Sequence, residues 1–156
     1  MKVNIALLTV TDTRTFDNDK SGSILVEKIK NANHNLIDRK ICKDNKDEIV
    51  LILREWLKNE NIDIIITTGG TGLTGRDITP EALEEVADKH IPGFGEVFRN
   101  ISLKTVGTSA IQSRACAVLS NGKYVFALPG SSGGVTDAWE GILKHQLDIN
   151  HKPCNF

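Results

Sequence analysis

Cysteine is scarce and scattered in this chain: Cys42, Cys116 and Cys154 stand far apart, with no CxxC pair among them. That spacing argues against a disulfide framework and against a structural zinc site built on cysteine pairs. The histidines, His34, His90, His145 and His151, show no HExxH-like spacing and read as surface or core residues rather than ligands. Charge of one sign is lacking as well. The formal net charge is -1 and no Lys/Arg tract occurs, so the chain offers no global basic field for nucleic acid. No apolar run approaches the roughly 20 residues needed to span a bilayer. The apolar stretch over residues 3–10 runs straight into Thr11-Asp12-Thr13-Arg14 without a small-residue cleavage site, so it reads as a buried strand and not a signal peptide. These absences lead to the expectation of a cytoplasmic protein with neither a membrane nor a nucleic-acid partner.

What is present is the composition of a globular protein, 40% hydrophobic and 25% charged. A length of 156 residues gives one sizeable core, so the expected organisation is a single domain over residues 1–156. Strand and helix patterns alternate, which predicts an α/β fold with helices on the faces of a sheet. Strands are expected at 3–10, 36–41, 62–66 and 124–128. Ser21 could cap a helix running to about residue 32. Ile49, Ile52, Leu53, Trp56 and Leu57 share one face of the clearest helix, at i, i+3, i+4, i+7 and i+8. Thr79-Pro80-Glu81 supplies an N-cap, an early proline and a dipole-matched acid for a helix to about residue 89. Pro92-Gly93 is read as a break before a helix over about 95–104. Val135, Ala138, Trp139, Ile142, Leu143 and Leu147 form a last apolar stripe.

Two loops carry the chemistry. Gly69-Gly70-Thr71-Gly72-Leu73-Thr74-Gly75 follows the strand predicted at 62–66, where bare backbone N–H groups can approach a phosphate closely. The alternative is a tight β-to-α turn with no ligand. Residues 70–75 satisfy GxGxxG by letter, but two strands precede the loop and the helix signals come only at Thr79-Pro80. A dinucleotide fold wants neither, which counts against a nicotinamide-dependent oxidoreductase. Arg76-Asp77 stands where a phosphate-loop ATPase needs Lys and Ser/Thr. Leu128-Pro129-Gly130-Ser131-Ser132-Gly133-Gly134 repeats the arrangement: small residues between an apolar strand and an amphipathic helix. Two such loops would flank one crevice of an open α/β sheet. Asp77 beside the first loop suits Mg²⁺ coordination or ligand recognition, or equally a turn supporting Thr79. Asp44 stands just before the helix over 49–57 and is a natural N-cap.

The series Thr68-Gly69-Gly70-Thr71-Gly72, Arg76-Asp77-Ile78-Thr79-Pro80-Glu81-Ala82, Ile91-Pro92-Gly93-Phe94-Gly95-Glu96, Ser113-Arg114-Ala115 and Leu128-Pro129-Gly130-Ser131 resembles the signature of the MoaB/MogA molybdenum-cofactor family over nearly the whole chain. The ending Lys152-Pro153-Cys154-Asn155-Phe156 is similar to the MoaB branch, which lacks the longer C-terminus of MogA. The resemblance implies a three-layer α/β/α sandwich with a mostly parallel sheet, assembled as a trimer or as a hexamer of two trimers. It implies a molybdopterin adenylyltransferase: MgATP adenylates molybdopterin and pyrophosphate is released. By matching position, Asp77 and Asp44 are the catalytic aspartates and the Mg²⁺ ligands. Gly69, Gly70, Thr71 and Gly72, with Pro129, Gly130 and Ser131, line the nucleotide and phosphate sites, and Ser113 contacts the pterin side. Asp12 and Ser21, in the early segments Thr11-Asp12-Thr13 and Lys20-Ser21-Gly22, fit the pattern as further ligand contacts or as a loop and an N-cap. The MoaB branch also contains members without adenylyltransferase activity. A second reading is therefore a paralogue that binds molybdopterin or nucleotide without joining them.

Overall fold

The computed structural model describes residues 2–148. The family-like ending at 152–156 and the residues Cys154 and His151 lie outside the described residues. The elements run β1 (Asn4–Val10), α1 (Lys20–Asn31), β2 (Asn35–Cys42), α2 (Lys46–Lys58), β3 (Ile64–Thr68), α3 (Thr79–Val86), β4 (Lys89–His90), α4 (Pro92–Val106), a 3-10 segment (Gly107–Gln112), β5 (Cys116–Ser120), β6 (Lys123–Leu128) and α5 (Ser132–Ala138). A π turn (Trp139–Leu143) and a last α turn (Lys144–Gln146) continue α5, so the stripe of apolar residues from Val135 to Leu147 lies on one nearly unbroken helical run.

The strands form one sheet in the order β2-β1-β3-β6-β5-β4. The first four are mutually parallel, β5 runs against them and β4 runs against β5, which makes the sheet mostly parallel as expected. Side chains alternate across a strand, so each strand contributes to two cores. Ile5, Leu7, Ile64, Ile66, Phe126 and Leu128 face one side, under Leu25 and Ile29 of α1, Phe94 and Phe98 of α4, and Trp139 and Leu143. Ala6, Leu8, Ile65, Val125 and Ala127 face the other, under Ile49, Leu53 and Trp56 of α2 and Ala82 and Leu83 of α3. The three-layer α/β/α expectation holds, with one of the two tryptophans buried in each core. No helix of the described residues is long and apolar enough to cross a membrane.

Several boundaries differ from the pattern-based reading. β3 extends to Thr68, because Thr67 and Thr68 are fully buried and continue the ladder to Ala127 and Leu128. Strands β4 and β5 carry too few alternating apolar residues to stand out; β4 is a two-residue edge strand, and it shortens α3 to Val86. Pro92 opens α4 rather than breaking the chain ahead of it, as its fixed φ and missing N–H allow in a first helical turn.

Three expected caps are reassigned. Asp19, not Ser21, caps α1: its carboxylate accepts from Gly22 N–H at 3.0 Å while also meeting Thr9 Oγ1 at 2.6 Å and Arg39 at 3.2 Å. Asn45, not Asp44, caps α2, its Oδ1 accepting from Glu48 N–H at 3.0 Å. Thr79 lies within α3 and caps nothing; its hydroxyl instead donates to Gly69 O at 2.8 Å.

Candidate functional site

The parallel strands β1, β3 and β6 end at one rim of the sheet, and the conspicuous loops leave from there. α1, which follows β1, and α5, which follows β6, cover one face, whereas α3, which follows β3, covers the other. The chain therefore parts in opposite directions on both sides of the β3 loop, the place where open α/β sheets leave a crevice.

The two glycine loops are tied together directly. Gly69 N–H donates to Leu128 O at 3.0 Å, and the Thr68 hydroxyl donates to Pro129 O at 2.7 Å. A Cβ on Gly130 would stand 3.3 Å from the Gly69 Cα, so the loops approach at backbone distance. Gly69 and Gly70 have φ of +104° and +71°, which L side chains rarely adopt. A Cβ on Gly70 would also sit 2.3 Å from Thr79 Oγ1 and 3.2 Å from Asp44 Oδ1. The glycines are therefore required by close packing of the rim, whatever they bind.

Between the loops opens a cleft of ≈ 680 Å³, lined by Gly70, Thr71, Gly72, Asp77, Ser113, Pro129, Gly130 and Ser131 among the expected residues. Phe98 forms part of its wall, and Asp137, which accepts from Thr105 Oγ1 at 3.1 Å, lines the α5 side. Ser131 caps α5 by accepting from Gly134 N–H at 3.1 Å, and the first-turn N–H groups of Ser132 and Gly133 have no intrahelical acceptor.

Asp12 lies on a neighbouring depression after β1, with Arg14, Lys43 and Glu48. Its Oδ1 accepts from Asp44 N–H at 3.0 Å and its Oδ2 pairs with Arg76 at 3.1 Å. Asp44 thus bridges Asp12 and the glycine loop. Ser21 is placed differently from a ligand contact. It is 1% exposed, with its Oγ 3.1 Å from the Thr68 hydroxyl and 3.4 Å from Asp19 Oδ1, and it supports the end of β3 from beneath.

The aspartates differ in electrostatics. Asp44 titrates above the ordinary carboxylate range, first because burial disfavours its charge and then because Asp12 and Asp77 repel it; Arg76 and its own N–H only partly offset these. Asp77 titrates below that range. Burial opposes its charge, but hydrogen bonds from the Thr74 hydroxyl and from the N–H groups of Thr74 and Gly72 outweigh it, helped by the Arg114 cation. The Thr74 bonds measure 2.8 Å from the hydroxyl and 2.9 Å from the amide.

Among the described residues no three His, Cys, Asp or Glu side chains gather into a cage for a metal ion. A divalent cation held here by Asp44 and Asp77 would take the rest of its shell from water and phosphate oxygens, the usual situation for Mg²⁺. The repulsion that Asp12 and Asp77 exert on Asp44 is what such a charge would relieve. Neither of the two described thiols offers alternative chemistry: burial pushes Cys42 up to about 12 and Cys116 up to about 11. His34 Nδ1 is occupied as an acceptor for Val3 N–H at 3.2 Å.

Sequence reasoning missed Arg114 as an individual residue. Its main-chain N–H donates to Thr71 O at 2.8 Å, Nε to Gly72 O at 2.7 Å and a terminal nitrogen to Asp77 O at 2.9 Å, and the guanidinium also pairs with Glu81. Arg99 of α4 in turn donates to Ser113 O at 3.2 Å and Ala115 O at 2.9 Å. A Cβ on Gly95 would lie 2.8 Å from the Ala115 main-chain oxygen as well as 2.5 Å from the Arg99 guanidinium, and the backbone contact accounts for that glycine in Pro92-Gly93-Phe94-Gly95. Single arginines among nineteen cationic residues leave no periodic signal in a sequence.

Comparisons with known proteins agree with this fold. The family model described as "Probable molybdopterin binding domain" matches residues 6–148. Molybdenum cofactor biosynthesis protein B of Escherichia coli (strain K12) is 42% identical over 152 residues, covering 97% of this chain and 89% of that protein. A crystal structure of a molybdenum cofactor biosynthesis protein B superposes with a TM-score of 0.91 at 42% identity, over 94% of this chain and 92% of the other. The tungsten cofactor synthesizing protein MoaB from Pyrococcus furiosus gives 0.84 at 35% identity, over 95% and 94%.

Proposed function

The chain belongs to the MoaB family of molybdenum cofactor biosynthesis proteins, and from that membership we propose that its cleft adenylates molybdopterin with ATP. The observation that carries the reading is the meeting of two bare-backbone loops with three aspartates at the ends of adjacent parallel strands. Bare N–H groups suit phosphate oxygens, and carboxylates beside a phosphate site are tolerable when a cation stands between them.

In this reading the terminal phosphate oxygen of molybdopterin forms a bond to the α-phosphorus of ATP. The bond from that phosphorus to the β-phosphate oxygen breaks, and pyrophosphate leaves. No covalent enzyme nucleophile is needed, so the chain acts by positioning and charge neutralisation. The N–H groups of Gly70 and Thr71 and the open first turn of α5 receive phosphate oxygens from two sides. Asp44 and Asp77 would hold Mg²⁺, which when bound would supply the neutralising charge between carboxylates and phosphates. Asp12 orients Asp44 through its N–H and holds Arg76 near the same space. Ser113, on the cleft wall, faces the pterin side. The exposed Val97, Leu103 and Val106 of α4 and Ile111 after it offer an apolar surface for the trimer or hexamer implied by the family resemblance.

The test is an assay of the purified protein with molybdopterin, ATP and Mg²⁺, scored for adenylated molybdopterin, with Asp77→Ala alongside. Wild-type product and a loss of about 10²-fold or more in the variant are expected. Molybdopterin binding with no product would identify a binding protein on the same fold and reject the adenylyltransferase.

A further inference from the structure

Asp77 does not hold its place alone. The loop that carries it, from Thr71 to Asp77, makes no regular secondary structure, yet three of its carbonyl oxygens, those of Thr71, Gly72 and Asp77, accept hydrogen bonds from one residue. We propose that Arg114 is a positioning residue for Asp77: it fixes the peptide planes of the glycine loop so that the Asp77 carboxylate stays at the cleft. This rests on the reading of Asp77 as a member of the adenylation site.

In a trans peptide the carbonyl and the following N–H point in opposite directions. Arg114 N–H draws the Thr71 carbonyl one way, so the Gly72 N–H of the same plane points the other way, and the Asp77 carboxylate lies against Gly72, where a Cβ would stand 2.8 Å from its Oδ2. The guanidinium then takes Gly72 O at 2.7 Å and Asp77 O at 2.9 Å, so both ends of the loop are held by a single planar group. Lysine cannot reproduce that, because its ammonium is a point donor on a flexible stem.

The guanidinium is itself fixed from two directions. Glu81 of α3 pairs with it. The main chain around it, at Ser113 and Ala115, is held by Arg99 of α4 at 3.2 and 2.9 Å. Two helices on opposite faces of the sheet thereby set the position of one carboxylate.

The experiment compares Arg114→Gln and Arg114→Lys with wild type in the full chain, by adenylation kinetics and by ¹H–¹⁵N NMR of the Gly72 and Thr74 amides. The Thr74 amide bonds the Asp77 carboxylate and Gly72 lies against it, and Asp77→Asn marks the shift seen when that acceptor is weakened. In Arg114→Gln the two amides are expected to move toward their Asp77→Asn positions, and kcat to fall about 10²-fold with KM for ATP changed by less than about threefold. Arg114→Lys should fall between on both measures. Unchanged amides, unchanged kcat, or amides that shift with no loss of kcat would each overturn the proposal. So would a loss of kcat in both variants that only follows the folded fraction seen by circular dichroism. If the wild type makes no product, the adenylation reading fails, and the amide shifts alone decide whether Arg114 holds the loop.

Discussion

Asp44 and Asp77 stand on the same rim and respond to it in opposite ways, so their stabilities should separate with pH. A carboxyl whose folded pKa lies above its unfolded value opposes folding while ionised. For Asp44 that opposition is complete above the raised folded value and disappears below the ordinary 3.8. Asp44→Asn is therefore expected to raise Tm by about 2 °C at neutral pH in chelator-treated buffer, with the gain vanishing near pH 3. Asp77 has the reverse sign. Its contribution is present above 3.8 and is lost as pH falls through its lowered folded value, so Asp77→Asn should lower Tm at neutral pH. Calorimetry at the two pH values checks both. A residue of the proposed site whose removal stabilises the protein would fit the common trade between stability and activity. The aspartates themselves were legible as family positions. Their unlike environments were not, because those depend on which hydroxyl, amide or carboxylate the folded chain brings alongside.

The helices show where local chemistry is readable and where it is ambiguous by one residue. The stripe Ile49, Ile52, Leu53, Trp56 and Leu57 announces α2, and all but the half-buried Ile52 are buried. Its start was harder, because Asp44 and Asn45 are both good caps and the choice depends on backbone geometry. Asn45 has the extended conformation and the bond to Glu48 N–H, leaving Asp44 free to turn toward Gly70. Asn45→Ala is accordingly expected to cost about 1 kcal/mol in urea unfolding. Asp44→Ala should not show that loss. Thr79 teaches the same lesson, since its hydroxyl looked like a cap beside Pro80 and instead ties α3 to Gly69 O. The short edge strand β4 carried no periodic signal at all, being two exposed residues paired to Leu119 and Val118.

At the scale of the molecule, the sheet keeps two cores apart. Ile29 of α1 and Ile49 of α2 are both fully buried, on opposite faces. Ile29→Val and Ile49→Val should each cost about 1 kcal/mol, and the double variant should equal their sum within about 0.5 kcal/mol, because they share no packing neighbours. Denaturant titration of the four proteins checks this. The alternating strands and helices foretold that layering. The sheet order and the crossing of the chain around β3 come from long-range pairing, which local patterns do not encode. The separation of layers also gives the protein a natural pair of optical reporters. Trp56, beneath α2 with its indole N–H on Asp38 and the Lys40 ammonium over its ring, and Trp139, in the opposite core, emit from two different surroundings. Replacing either one by phenylalanine would leave a fluorophore that watches a single layer, so a melt could be followed one side of the sheet at a time.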